Sequence, residues 1–287
     1  MTANRARSIR ARLLNLAKSR GDDFNLVLMR YALERWLYRL SISAEADSFV
    51  LKGALLFSVW FEKLNRPTRD ADFLGYGSSD AASVRTRLQA VCTLPCDDGM
   101  DYDAESVTVT ATREEARYAG LHAEILATLD TARSVVRLDV GFGDVVTPAP
   151  RQQDYPTLLP DVPGPRLRVY PRETVVAEKF EAIITLGMRN SRLKDYFDLW
   201  TLLRDGSLDQ HLLAEAIAAT CARRETALPA GMPMGLTGQF AQDGAKQAQW
   251  KAFLDRNRMN APPLPAVVET VSRSLVTPLK LARDVAS

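Results

Sequence analysis

Residues 49–76, FVLKGALLFSVWFEKLNRPTRDADFLGY, decide the fold that this sequence predicts. An apolar run at residues 49–51 leads into Lys52-Gly53-Ala54, and the pattern of residues 55–64 predicts a helix. A basic loop at residues 65–69 then leads into Asp70-Ala71-Asp72 and the apolar pair Phe73-Leu74. The predicted order is strand, glycine, helix, loop and a second strand that begins with two acids.

The two acids of this stretch predict a metal site. If residues 70–74 form a strand, Asp70 and Asp72 lie on one face about 7 Å apart, because alternate side chains share a face. Paired carboxylates suit divalent cations. Gly53 would let a nucleotide phosphate approach the backbone and the N-terminus of the following helix. Asp-x-Asp after a turn is also common without a metal, so support has to come from the rest of the chain.

Composition indicates a globular protein with a large core. The chain has 287 residues, of which 46% are hydrophobic and 25% charged, and this size fits one large domain or two small ones. No apolar run approaches the ~20 residues of a membrane span, and the basic N-terminus lacks a secretory pattern. Three cysteines and two histidines give no disulfide or zinc framework. We expect a cytoplasmic monomer with no membrane partner.

Positive charge is concentrated near the start of the chain. Residues 1–40 carry nine basic side chains and three acidic ones. Such a segment could contact a nucleic-acid backbone, but charge alone favours a solvated helix face.

Periodicity predicts an α+β first half and a mostly helical second half. Helices are predicted at 4–19 and 23–42 and from the loop at 75–80 to about residue 94. A turn-like acidic segment is predicted at 97–103. Strands are predicted at 107–111, 123–129 and 134–144, although helix fits 123–129 nearly as well. Six prolines between residues 148 and 165 predict a connector. After it a short strand is predicted at 167–170 and helices at 172–187, 194–204, 208–224, 239–257 and 266–285. We therefore expect domains at 1–165 and 166–287.

Three further stretches carry candidate site residues. Asp139 lies inside an apolar strand, where an acid is costly to bury unless it is paired or metal-bound. Lys179 lies beside the apolar face of a helix, where it could reach a site or simply extend to solvent. Asp195 and Asp198 share a helix face at i and i+3. Asp195 could instead have a structural role, because a carboxylate in the first turn interacts favourably with the helix dipole.

Together these motifs resemble the AbiEii-type nucleotidyltransferases, toxins of bacterial toxin–antitoxin and phage-defence systems in the DNA polymerase β-like superfamily. The matching motifs are Leu51-Lys-Gly-Ala, Arg66-Pro-Thr-Arg-Asp-Ala-Asp-Phe-Leu-Gly, Leu138-Asp-Val-Gly-Phe-Gly-Asp, Ala177-Glu-Lys-Phe-Glu-Ala and Arg192-Leu-Lys-Asp-Tyr-Phe-Asp-Leu, and they span residues 49–200. The chain departs from the superfamily at Ala54, where Ser or Gly is usual. A hydroxyl is thus missing there, although the backbone N–H remains.

The resemblance implies a fold and a set of site residues. The first domain would be a polymerase-β-like mixed sheet with flanking helices, and the helical second domain would contribute Lys179 and Asp195 to a shared cleft. Asp70, Asp72 and Asp139 would hold Mg²⁺ or Mn²⁺, and Asp139 could also help deprotonate the acceptor. The implied nucleotide-binding residues are Lys52, Gly53, Ala54, Arg66, Arg69, Lys179 and Asp198. Asp195 would either orient Lys179 or act at the acceptor.

The implied reaction transfers NMP from an NTP to RNA, notably the 3′ end of tRNA, and releases pyrophosphate. An antitoxin encoded nearby, with a winged-helix protein as one form, would be the cognate partner. Two alternatives stay open: a nucleotidyltransferase that modifies an antibiotic or a protein hydroxyl, and a non-catalytic NTP-binding module. The basic N-terminal segment argues mildly against a cationic antibiotic as acceptor.

Overall fold

The computed structural model describes residues 3–61, 68–112 and 120–286. The prediction for Arg66 and the predicted helix beyond Phe61 lie outside these ranges. The described helices are α1 (Ala3–Arg20), α2 (Phe24–Ile42), α3 (Leu56–Trp60), α4 (Ala81–Cys92), α5 (Arg172–Leu186), α6 (Leu193–Leu203), α7 (Gln210–Arg223), α8 (Gly238–Gln242), α9 (Gly244–Asn257) and α10 (Leu264–Ala286). The described strands are β1 (Phe49–Lys52), β2 (Asp70–Gly75), β3 (Met100–Tyr102), β4 (Thr108–Ala111), β5 (Gly120–Leu129), β6 (Ala132–Phe142), β7 (Arg151–Asp154) and β8 (Arg166–Val169).

The strands form one mixed sheet with the order β3-β5-β6-β2-β1-β8-β7, and β4 pairs with the other half of β5. The pairs β2–β6 and β1–β8 are parallel, and the remaining pairs are antiparallel. The two strands that carry the predicted carboxylates, β2 and β6, are therefore direct neighbours inside the sheet.

One face of the sheet packs against α2. Ala71 and Phe73 of β2 are buried, and the Phe73 ring lies edge-on to Trp36 of α2, with 6.2 Å between ring centroids. Leu138 and Val140 of β6 are buried as well. Because side chains alternate along a strand, this burial turns the intervening acids of β2 and β6 to the opposite face.

The predicted α+β class is confirmed, and most elements lie where the periodicity places them. Residues 123–129 belong to a strand, which resolves the choice between strand and helix. The turn-like assignment of 97–103 is wrong in part, because β3 pairs there with the end of β5. The connector at 148–165 contains β7, an edge strand that the prolines on either side conceal.

Two predicted helices are shorter or divided. The helix predicted over 55–64 begins as a 3₁₀ turn, Gly53–Leu55, and α3 ends at Trp60. The helix predicted over 239–257 is interrupted at Asp243, whose side chain accepts a hydrogen bond from Lys246 N and so caps a new helix, α9.

The described residues form two compact units, 3–61, 68–143 and 151–169 in the first and 144–150 and 170–286 in the second. The first unit contains the whole sheet. In the second unit, Tyr196 of α6 stacks on Phe240 of α8 at 4.9 Å and donates a hydrogen bond to Gly235 O. None of the helices in the described ranges is long and apolar enough to cross a membrane.

Candidate active site

A row of polar residues crosses the face of the sheet opposite α2. Asp72 of β2 pairs with Lys52 of β1 on one side and with Asp139 of β6 on the other, and Asp139 pairs with His122 of β5. Residues that are paired across neighbouring strands point to the same face. The sheet register thus brings two of the three predicted carboxylates, which are far apart in the sequence, side by side.

Asp70 lies on the same face, one step along β2, and pairs with Arg137 of β6. Its Oδ1 atom is buried and has no hydrogen-bond partner among the described residues. Burial raises the pKa of Asp70, and so does the charge of Asp139, while Arg137 and His122 act in the opposite direction. A buried carboxylate oxygen without a hydrogen-bond partner is unusual in a folded protein.

Gly53 is fitted against the Asp72 carboxylate. Its φ of +73° is in the region that disfavours other residues, and a Cβ built on it would lie 1.9 Å from Asp72 Oδ2. The group that comes close to this glycine is a carboxylate of the protein, and the approach of a nucleotide phosphate stays a prediction. Ala54, the next residue, is buried. Because alanine has no polar side-chain group, only its backbone N–H could bind a ligand.

Lys52 and Arg69 flank the carboxylates. Lys52 reaches over the face, because its Nζ lies 3.7 Å from the position of a Cβ built on Gly141, two residues after Asp139. Arg69 immediately precedes β2 and is exposed. Both cations are placed on or beside the acidic strand, as an anion-binding role requires.

The carboxylate face fits a divalent cation in the chemistry of its donors. Three carboxylates on paired strands provide the oxygen ligands that Mg²⁺ prefers, and the buried Oδ1 of Asp70 lacks a partner. Within the described ranges, no three His, Cys, Asp or Glu side chains form a ready-made metal site. The carboxylates would therefore have to move closer together to share an ion.

A second polar cluster lies in the helical unit. The Lys179 ammonium of α5 is 2.7 Å from Asp195 Oδ1 and 2.8 Å from Asp198 Oδ2, and Arg192 Nε is 2.9 Å from Asp195 Oδ2. Both carboxylates are at most 1% exposed, whereas the Arg192 side chain is 52% exposed. Because Asp195 and Asp198 are spaced at i and i+3, they lie on one helix face, and both carboxylates bind the same lysine.

The charges in this cluster determine its protonation. Burial alone would raise the pKa of Asp195, but Lys179 and Arg192 outweigh burial, and the pKa lies below its ordinary value. Burial alone would lower the pKa of Lys179, and the charges of Asp198 and Asp195 raise it instead. The lysine is a fully charged ammonium held in place by two carboxylates.

Comparison with known sequences decides the family. The family described as "Nucleotidyl transferase AbiEii toxin, Type IV TA system" matches residues 35–273. The chain belongs to the AbiEii family. No curated protein sequence matches it significantly.

Two solved structures from Helicobacter pylori resemble this AbiEii protein along most of its length. JHP933 is 13% identical with a TM-score of 0.48, and the match covers 96% of this chain and 95% of that one. A candidate nucleotidyltransferase is 13% identical with a TM-score of 0.44, over 91% of this chain and 94% of that one.

His122 is a residue that the sequence reasoning missed. It is one of the two histidines that give no zinc framework, and no motif assigns it a role. In this AbiEii protein its Nδ1 lies 2.7 Å from Asp139 Oδ1, directly beside the carboxylate row. The sequence signal was the alternation of polar and apolar residues around it, but its pairing with Asp139 depends on a register that the sequence does not display.

A cavity of about 640 Å³ lies elsewhere in the first unit, between α2, the end of α4 and β3. It is lined in part by Arg39, Cys92 and Cys96, and by none of the predicted site residues. Arg39 is already bound to both oxygens of Asp98 at 2.6 Å and 3.0 Å. The cavity therefore lacks an available cation, and we locate the candidate active site on the carboxylate face.

The basic N-terminal segment is largely neutralised within the protein. Six of its arginines have acidic partners: Arg5 with Asp97, Arg10 with Asp130, Arg12 with Asp161, Arg30 with Asp22, Arg35 with Glu34 and Arg39 with Asp98. Arg7, Lys18 and Arg20 of α1 are exposed. If the segment contacts a polynucleotide, these three are the side chains best placed to do so.

Proposed function

We propose that this protein is a metal-dependent nucleotidyltransferase that transfers NMP from an NTP to the 3′ end of tRNA, as the toxin of a toxin–antitoxin pair. One observation carries the proposal: Asp70, Asp72 and Asp139 share a face of two paired strands, with Gly53 against Asp72. Membership of the AbiEii family supports the reaction class and the toxin role. The tRNA acceptor and the metal rest on the resemblance of the motifs.

The carboxylates of Asp70, Asp72 and Asp139 hold Mg²⁺ or Mn²⁺ in this proposal. When bound, the cation supplies charge neutralisation at the reacting phosphate and at the leaving pyrophosphate. Gly53 lets the backbone approach the Asp72 carboxylate closely. Lys52 and Arg69 place positive charge next to the acids. Arg66 is assigned to the phosphates by its motif alone.

The reaction is an in-line displacement at the α-phosphorus. The acceptor hydroxyl oxygen forms a bond to that phosphorus while the bond to the bridging oxygen breaks, and pyrophosphate leaves with the electron pair. The hydroxyl proton passes to Asp139, which lies on the strand next to Asp72 and whose oxygen facing the site has a second lone pair for it beside the one used for the cation. Each atom of the NTP is thus accounted for in NMP and pyrophosphate.

Lys179 is assigned to the triphosphate because of its motif. Its ammonium donates to Asp195 and Asp198, and a third N–H is left for a phosphate oxygen. The completely buried carboxylate of Asp195 favours the role of orienting Lys179 over a role at the acceptor. Asp198 supports the same lysine from one helical turn further on.

The proposed setting follows from the function. A tRNA-modifying toxin acts in the cytoplasm, and its activity has to be restrained by an antitoxin encoded nearby, for which a winged-helix protein is one form. We expect a monomer, because no step of the reaction requires a second copy. We propose the sequence-based division near 165/166 between a sheet domain and a helical domain, with β8 (Arg166–Val169) kept with the sheet.

Labelled nucleotide identifies the acceptor. The protein is incubated with Mg²⁺, each α-labelled NTP in turn and total bacterial tRNA, beside an Asp72→Asn variant. Separate reactions contain an aminoglycoside or a protein extract in place of tRNA. We expect label on tRNA with the wild type and none with the variant. Label that appears only on the antibiotic or on protein would replace the tRNA proposal with one of the two other acceptors.

A further inference from the structure

The imidazole of His122 is hydrogen-bonded to the third carboxylate of the site. Its Nδ1 lies 2.7 Å from Asp139 Oδ1, with the His122 side chain 33% exposed and the Asp139 side chain 41% exposed. Because an ionised carboxylate only accepts hydrogen bonds, Nδ1 carries the proton. One of the two Asp139 oxygens is thereby occupied by His122.

The backbone beneath His122 is held on both sides. Its strand, β5, pairs with β6 along its whole length, from Gly120 opposite Gly141 to Leu129 opposite Ala132. On the other side His122 pairs with Thr110 of β4. A histidine on a strand between two neighbours is a rigid support, whereas Asp139 is too exposed for packing alone to fix its carboxylate.

Glu124 lies near the imidazole, beyond hydrogen-bonding distance. Glu124 follows His122 on the same face of β5, and its Oε1 lies 3.9 Å from His122 Nε2. Glu124 Oε1 is itself 2.8 Å from Arg137 Nε on β6. Arg137 lies opposite Asp70 in the register of β2 and β6.

We infer that His122 is a positioning residue for Asp139: its Nδ1–H holds Oδ1 and leaves the other oxygen oriented toward the cation. The inference rests on the proposed function, because it assigns Asp139 to the metal. The arrangement follows a general feature of metal centres, in which a residue behind the ligand fixes the orientation of the ligand. His122 itself does not touch the substrate in this account.

Three substitutions of His122 test whether its hydrogen-bond donor, and not only the size of its side chain, is required. His122→Ala removes the donor, and His122→Asn places an amide N–H near the position of Nδ1. His122→Gln has a longer side chain that places its amide near the position of Nε2, so it keeps polarity but not the donor position. Thermal unfolding of each variant shows whether the fold is intact, and the partial exposure of His122 leads us to expect small changes.

The readout is Mn²⁺ binding by the full-length protein, measured by electron paramagnetic resonance with and without a non-hydrolysable NTP. We expect His122→Ala and His122→Gln to raise the dissociation constant by about 10–100-fold, while His122→Asn stays near the wild type. In nucleotide-transfer assays, His122→Ala and His122→Gln should need a higher Mn²⁺ concentration for activity than the wild type and His122→Asn.

The outcomes distinguish the inference from the function on which it rests. Equal Mn²⁺ affinity in the wild type and His122→Ala would overturn the positioning role and leave the metal site standing. Weakened binding in His122→Asn as severe as in His122→Ala would also overturn it. A wild type that binds no Mn²⁺ with or without nucleotide would overturn the proposed metal dependence itself, and the role of His122 with it.

Discussion

The carboxylate of Asp72 occupies the space in which any side chain at residue 53 would have to begin. A Cβ built on Gly53 would lie 1.9 Å from Asp72 Oδ2 and 2.6 Å from Asp72 Cγ. Residue 53 must therefore be glycine for two reasons, its φ of +73° and this contact. Because residue 53 has no side chain, the Asp72 carboxylate can lie directly against its backbone.

Gly53→Ala should cause a loss of activity that exceeds its loss of stability. The methyl group displaces the Asp72 carboxylate, and a displacement of about 1 Å in a reacting group can reduce the rate about 100-fold. Gly21→Ala is the matched control, because Gly21 has a φ of +68° and no atom within 4 Å of a built Cβ. Both variants should lose about 1 kcal/mol or more of unfolding free energy. If the two variants are equally active in nucleotide transfer, Gly53 does not position Asp72.

Lys179→Met should destabilise the helical unit by about 3–5 kcal/mol, because it removes the ammonium shared by two buried carboxylates, although Asp195 keeps Arg192. Asp195 and Asp198 are at most 1% exposed, so water cannot take the place of the lysine. Denaturant unfolding measures the loss. A triple variant, Lys179→Met with Asp195→Asn and Asp198→Asn, removes the charges and should recover part of the stability.

The same pair of variants separates stability from function. If Lys179 binds the triphosphate, the triple variant stays inactive even though it is more stable than Lys179→Met. Activity that returns with stability would show that Lys179 serves only the fold.

Glu34 should make the protein less stable as the pH rises. Burial raises the pKa of Glu34 from 4.5 to about 7, although Arg35 and the Leu158 N–H act against burial. Below pH 4.5 both states are protonated. Between that pH and about 7 only the unfolded state releases the proton, and the stabilising contribution is lost as the pH rises through about 7.

Glu34→Gln isolates this effect, since glutamine resembles the protonated acid and can still accept the hydrogen bond from Leu158 N. The unfolding free energy of the wild type relative to the variant should fall by roughly 3 kcal/mol between pH 4 and pH 8. Urea unfolding at several pH values measures it. A difference that stays constant across this range would show that Glu34 has an ordinary pKa.

Replacement of Arg7, Lys18 and Arg20 by glutamine should weaken tRNA binding and its dependence on salt. Each lost phosphate contact lowers the slope of log K against log salt by about 0.7 for single-stranded and up to 0.9 for duplex nucleic acid. Fluorescence anisotropy with labelled tRNA at several NaCl concentrations provides the slope. Lys251→Gln with Arg256→Gln, exposed on α9, is the control. An unchanged slope in the α1 variant would exclude α1 from the RNA surface.

The sequence predicted the elements well where periodicity and a local signal agreed. The alternation around Asp139 marks β6, and the spacing of Asp195 and Asp198 places both on one helix face, where the structure shows them bound to Lys179. The sequence could not show that β6 pairs with β2 in the register that sets Asp139 beside Asp72. That pairing is a long-range contact, and no local pattern encodes it.

The misses have the same physical origin. β7 is an edge strand of four residues within a proline-rich segment, and its pairing with β8 is what makes it a strand. Arg35 and Arg39 belong to the excess of basic residues at 1–40, from which a solvated or nucleic-acid-binding helix face was predicted. Both side chains are instead buried, Arg35 against Glu34 and Arg39 against Asp98. His122 escaped notice because its partner, Asp139, is on a different strand.

The most direct test of the account follows the two ends of the NTP in one reaction. The protein receives Mg²⁺, tRNA and an NTP labelled on either the α- or the γ-phosphate, and the experiment is repeated with Asp70→Asn, Asp72→Asn and Asp139→Asn. Asp101→Asn, an exposed acid on β3, is the control. The account predicts α-label on tRNA and γ-label in pyrophosphate for the wild type and for Asp101→Asn, with both lost in the other three variants. Transfer that persists in a folded Asp72→Asn variant, or γ-label on the acceptor, would contradict the account.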